Sequence, residues 1–85
     1  MATVDIYTSK TCPYCIKAKS LLESKGVDYQ EFRTDEDPKL AEESVKRSGG
    51  KRTVPQVFIN GYHVGGCDEL YALKGEGKLD PMLEA

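Results

Sequence analysis

The 85-residue chain has room for one domain, residues 1–85, with a small core and short loops. Charged residues make up 31% of it around a formal net charge of −2, which excludes the basic stripe of a nucleic-acid binder, and its apolar runs are too short for a membrane span. MATVDIYTSK lacks the pattern of a signal peptide, and three cysteines is an odd count for a disulfide-stapled secreted fold, so a cytoplasmic monomer without nucleic-acid or membrane partners is expected.

In TVDIYT (3–8), Val4 and Ile6 alternate with Asp5 and Tyr7, the period of a strand. TCPYC follows at 11–15. Pro13 suits the first turn of a helix, where its missing N–H costs nothing. That helix is expected to run to about Lys25 and to stop at Gly26. VDYQEF (27–32) is a second strand. Asp37-Pro38 couples an N-cap to a proline at the first helical position, opening a second helix that ends at Gly49-Gly50. VPQVFIN (54–60) and YHV (62–64) are strands joined by Asn60-Gly61, a two-residue hairpin signal. Asp68 is expected to cap a third helix, DELYALK, closed by Gly75, and Asp80-Pro81 to open a short C-terminal turn. The order β-α-β-α-β-β-α implies a parallel pair with a right-handed crossover and a closing antiparallel hairpin. The fold class is α/β, a four-stranded mixed sheet flanked by helices.

The two cysteines of TCPYC are not equivalent. At ~100° per residue, Cys15, Ala18, Leu21 and Leu22 share the face that must pack on the sheet. Cys12 falls away from it, beside Ile16, and is expected to be exposed at the helix start. Unpaired N–H groups and the positive dipole end there favour a thiolate, with Lys10 two residues upstream. A stabilised thiolate attacks more weakly but leaves more readily, so its benefit lies in turnover through a mixed disulfide. Cα atoms three apart in a helical turn also lie within reach of a disulfide.

CPYC between a strand and a helix, TVP at 53–55 before the third strand and GGCDEL at 65–70 opening the last helix resemble a dithiol glutaredoxin of the thioredoxin superfamily. The resemblance spans nearly the whole chain, and ELYALK and LDPML point to a bacterial branch. It implies the thioredoxin fold and a glutathione-dependent thiol–disulfide oxidoreductase, with Cys12 as nucleophile and Cys15 as resolving thiol. Glutathione is then a co-substrate, and no tightly bound cofactor is expected. Partners would be glutathionylated or disulfide-containing proteins, ribonucleotide reductase among them. Pro55 would be a cis proline facing the site, and the Val54 backbone would pair with glutathione. Lys10 and Tyr14 would flank the ligand, Lys10 near its glycine carboxylate, with Thr53 on the same groove. Gly66, Cys67 and Asp68 would hold the γ-glutamyl end. That role has independent sense, since a helix N-terminus suits a carboxylate and glycine allows close backbone approach.

Simpler readings stand beside these. Cys67 fits a buried, inert small hydrophobe. His63 fits a strand residue with a satisfied side chain, and Tyr7, Tyr29, Phe32 and Phe58 fit core or half-buried positions. Cys12-x2-Cys15 with His63-x3-Cys67 also offers four zinc ligands. Lys10 beside the first pair disfavours a cation, and the second pair spans a Gly-Gly break.

Overall fold

The computed structural model describes residues 2–84. Eight elements follow in order: β1 Val4–Thr8, α1 Pro13–Ser24, β2 Gln30–Arg33, α2 Pro38–Arg47, β3 Gln56–Ile59, β4 Tyr62–Gly65, α3 Cys67–Gly75 and α4 Leu79–Glu84. They build a mixed sheet of order β2-β1-β3-β4. β1 runs parallel to β2 and antiparallel to β3, and β3 is antiparallel to β4. This is the expected four-stranded α/β architecture. Among the described residues no helix is long and apolar enough to cross a membrane.

Local chemistry sets most boundaries. Asp37 caps α2 by accepting from the Lys39 N–H at 2.9 Å. Asn60 and Gly61 both hold positive φ, 52° and 81°, the left-handed pair that matches a hairpin turn to strand twist. Gly26 leaves α1 at φ 70°, where glycine carries no steric cost. β2 starts later than its pattern suggested, at Gln30.

Two expectations at the C-terminal end change. α3 begins at Cys67 with Gly66 as its N-cap, so Asp68 lies inside the first turn rather than capping it. Glu69 causes the shift, because its Oε1 accepts from the Gly66 N–H at 3.1 Å, the reciprocal half of a capping box. The expected C-terminal turn is the helix α4. Leu79 and Leu83, one helical turn apart, are both buried in the core cluster, and Asp80 pairs with Lys25 at 2.9 Å.

The sheet is covered on both faces, and β1 shows why. Val4 and Ile6 point into one cluster with Ala18, Leu21, Leu22, Val57, Ile59 and Leu70. Tyr7, on the opposite parity, stacks on Phe32 at 5.1 Å and meets Phe58 edge-on at 5.8 Å. Arg47 of α2 lies over the Phe58 ring at 4.1 Å and donates to Tyr7 OH at 2.9 Å. Tyr7 OH in turn donates to Glu43. So one layer is aliphatic under α1, α3 and α4, and the other is aromatic and polar under α2.

Candidate active site

Strand register gathers the site. Tyr7 at the end of β1 pairs with Gln56 at the start of β3, and Val57 pairs with Gly65 at the end of β4. The segments beyond these pairs therefore meet at one edge of the sheet: 9–15 after β1, 53–55 before β3 and 66–69 after β4. The closeness is physical at Gly66, where an added Cβ would lie 3.4 Å from the Pro55 carbonyl oxygen. The Val54–Pro55 bond is cis, as the resemblance implied.

Cys12 is the N-cap of α1, with its sulfur in the capping role. Sγ accepts from the Cys15 N–H at 3.1 Å, satisfying one of the backbone donors left unpaired at the start of the helix. As a thiol, Sγ donates to the Val54 carbonyl at 3.6 Å. That carbonyl corrects the helix-wheel reading: Cys12 is only 9% exposed, because the 53–55 segment covers a side chain that its own helix leaves open. Cys15 is 1% exposed, as its place on the packed face required. Burial, then the hydrogen bond with Cys12, pushes the Cys15 thiol up to about 12. Sγ of Cys12 is thus the outer sulfur and Cys15 the inner, proton-bearing one. Exposed Tyr14 and Ile16 flank the pair.

A cleft of about 260 Å³ adjoins the pair, lined by Tyr14, Thr53, Val54, Pro55, Gly66, Cys67, Asp68 and Glu69. Seven of these positions were expected from the sequence. Lys10 is not among them. Its side chain is exposed and its backbone N–H donates to Asp35 Oδ2 at 3.2 Å. Glu69 was missed, because a capping box is read from Ser, Thr, Asp or Asn three residues before the glutamate, and Gly66 leaves only the glutamate's half of it. Gly66 offers no capping side chain, so the first N–H groups of α3 are open at the cleft edge. Cys67 is buried in the core cluster, and burial raises its thiol pKa.

His63 is engaged within the sheet. Its Nε2 lies 2.7 Å from Gln56 Oε1, and its ring stacks on Phe58 at 4.9 Å. Among the described residues no three His, Cys, Asp or Glu side chains come together in metal-ligating geometry.

The family model described as Glutaredoxin matches residues 4–64. The chain is 57% identical over 84 residues to glutaredoxin 3 of Escherichia coli (strain K12), an alignment covering 99% of this chain and 100% of that protein. It superposes on the solution structure of glutaredoxin from Brucella melitensis with a TM-score of 0.84 and 52% identity, covering 98% of this chain and 89% of that one. The crystal structure of a buckwheat glutaredoxin–glutathione complex matches with a TM-score of 0.88 at 34% identity, covering 98% and 77%.

Proposed function

This chain belongs to the glutaredoxin family of thiol–disulfide oxidoreductases, and on that premise we propose that it turns over glutathione mixed disulfides and protein disulfides through a mixed disulfide on Cys12. One juxtaposition carries the reading. Cys12 Sγ, held by the Cys15 N–H at 3.1 Å, lies 3.6 Å from the carbonyl of Val54, in the wall of the adjoining cleft.

In the monothiol route, Cys12 thiolate attacks the glutathione sulfur of a mixed disulfide. A Cys12–glutathione bond forms, and the target leaves as a thiolate that takes up a proton. A second glutathione thiolate then attacks the bound glutathione sulfur, forming oxidised glutathione and releasing Cys12 thiolate. In the dithiol route, Cys12 attacks a protein disulfide and becomes joined to one target sulfur. Cys15 gives up its proton and attacks Cys12, closing the Cys12–Cys15 disulfide and freeing the reduced target. Two glutathiones return the pair to thiols. The monothiol cycle consumes one glutathione and the dithiol cycle two, and each releases one oxidised glutathione.

Glutathione seats in the cleft with its peptide-like backbone along Val54. Its γ-glutamyl carboxylate meets the open N–H groups of Cys67 and Asp68, where dipole and donors favour an anion. Pro55 and Gly66 shape the floor, while Tyr14 and Thr53 flank the ligand. Lys10 acts from outside the lining, as an exposed positive charge toward the glycine carboxylate. The buckwheat glutaredoxin–glutathione complex supports glutathione as the ligand. All three cleft segments extend from one sheet, which supports reading residues 1–85 as a single glutaredoxin domain.

The test is turnover of one small thiol capped either by glutathione or by cysteamine. A clear preference for the glutathionyl substrate is expected. Equal kcat/KM for the two would overturn the glutathione reading while leaving the disulfide chemistry intact.

A further inference from the structure

Thr53 sits on the cleft in a stretch, 51–55, that contains no strand or helix, and it is exposed. Its position is nevertheless held from below. Gln56 is 3% exposed, a buried amide at the start of β3. Its Nε2 donates to the Thr53 carbonyl at 3.0 Å and to Thr53 Oγ1 at 3.3 Å. Its Oε1 faces His63 Nε2 at 2.7 Å.

The chemistry of these partners fixes every direction in the chain. A backbone carbonyl only accepts, so the Gln56 NH2 must face Thr53 and its oxygen must face His63. A carbonyl oxygen facing His63 Nε2 requires that nitrogen to carry a proton, which sets the histidine tautomer. At the other end, Thr53 Oγ1 already accepts from Gln56. Its own proton is left free, so the hydroxyl is available to donate into the cleft.

We propose that His63 and Gln56 are positioning residues that present the Thr53 hydroxyl as a hydrogen-bond donor to a carbonyl or carboxylate oxygen of the bound glutathionyl group. The inference rests on the glutathione reading of the cleft given above. Neither residue lines the cleft. His63 acts on the ligand only through Gln56, and Gln56 only through Thr53. Without His63 the buried Gln56 Oε1 is left unpaired, and the amide is held from its Thr53 end alone. Thr53 then loses a fixed carbonyl and a fixed hydroxyl together.

The experiment compares wild type with His63→Leu, His63→Gln, Gln56→Met, Thr53→Val and the double variant Thr53→Val/His63→Leu, using the glutathione- and cysteamine-capped substrates. The expected result for His63→Leu and Gln56→Met is a KM for the glutathionyl substrate raised about three- to tenfold, the loss of one ligand hydrogen bond. Their kcat, and their turnover of the cysteamine substrate, stay near wild type. His63→Gln keeps a donor at about the Nε2 position and restores the wild-type KM. In the double variant the effects fall short of additive, because both substitutions act on one hydroxyl.

A purely structural role predicts otherwise: a lowered melting temperature, equal losses on both substrates and no rescue by glutamine. That pattern, or fully additive effects, overturns the proposal. If wild type itself does not distinguish the two caps, the glutathione reading fails and this inference with it. If wild type distinguishes them and His63→Leu and Gln56→Met distinguish them equally well, the relay alone is refuted.

Discussion

The backbone N–H of Cys15 points at the sulfur of Cys12 from 3.1 Å, while the thiol of the same Cys15 is buried and pushed up to about 12. On the proposed mechanism one residue serves the site twice, through its main chain as a donor to the nucleophile and through its side chain as a reserve thiol. The two services separate under mutation. Cys15→Ser keeps the amide and removes the thiol, so deglutathionylation should stay within a few fold of wild type while reduction of protein disulfides by the dithiol route is lost. Cys12→Ser should bring both to background. A steady-state assay with a glutathione mixed disulfide, beside one with a protein disulfide, reads the difference. Equal loss of deglutathionylation in the two variants would reverse the roles assigned here.

The inner thiol also has a consequence for stability. Below the free-thiol value of about 8.5, Cys15 carries its proton whether the chain is folded or not. Above it, the unfolded chain releases that proton and the folded chain keeps it, so stability falls as pH rises from about 9 toward 12. Tyr29, pushed up to about 12 by burial and then by its hydrogen bond to Glu23, adds to the loss within the upper part of the same window. Urea midpoints measured between pH 8 and 11 should therefore decline. Cys15→Ser should flatten the decline, and Tyr29→Phe should remove a further share. A wild-type midpoint constant over that range would contradict the burial argument for both groups.

Much of this molecule was legible because its punctuation is local. Asp37-Pro38, Asn60-Gly61 and Gly26 fix backbone geometry within a few residues, and the structure uses each as its chemistry demands. The face of α1 that buries Cys15 follows from helical period alone. The cover over Cys12 does not, because the Val54 carbonyl is 42 residues away and arrives only through the β1–β3 register. Asp68 misled for a different reason. It is the better N-cap by side chain, but the spacing from Gly66 to Glu69 outranks it by satisfying the backbone from inside the helix. The Gln56–His63 contact lay beyond reach for the same reason as the cover: a seven-residue separation means proximity only once β3 and β4 pair.

Gly65 shows how tightly the α3 end of the cleft is built. Its φ is +117°, and an added Cβ would lie 2.9 Å from Glu69 Oε1 and 3.0 Å from its Cγ. Gly65→Ala therefore meets two costs, a strained backbone and displacement of the side chain that satisfies the Gly66 N–H. Together they should lower stability by about 1–3 kcal/mol. Glu69→Ala removes only the second and should cost about 1 kcal/mol. Both should raise the KM for a glutathionyl substrate, since the N–H groups at the start of α3 lose their fixed position. Chemical denaturation alongside steady-state kinetics tests this. Gly65→Ala with unchanged stability would mean that Glu69 is not packed where its bond to Gly66 requires.

Arg47 is the clearest case of a charged side chain acting through shape. Its guanidinium lies 4.1 Å over Phe58, donates to Tyr7 OH at 2.9 Å and reaches Asp5 at 3.2 Å. With the arginine side chain 31% exposed, the ion pair to Asp5 is screened and contributes little. The stacking and the bond to the buried Tyr7 carry the interaction, and both depend on a planar group with several fixed donors. Arg47→Ala should cost about 1–3 kcal/mol, because it uncovers Phe58 and leaves Tyr7 OH with Glu43 alone. Arg47→Lys keeps the charge and loses the plane, so it should recover less than half of that cost. Unfolding in urea at high salt separates the two accounts, since salt weakens a charge effect and spares a stacking one. Should lysine restore full stability, or should the wild-type advantage vanish at high salt, the coupling of α2 to the sheet would be electrostatic rather than a matter of packing.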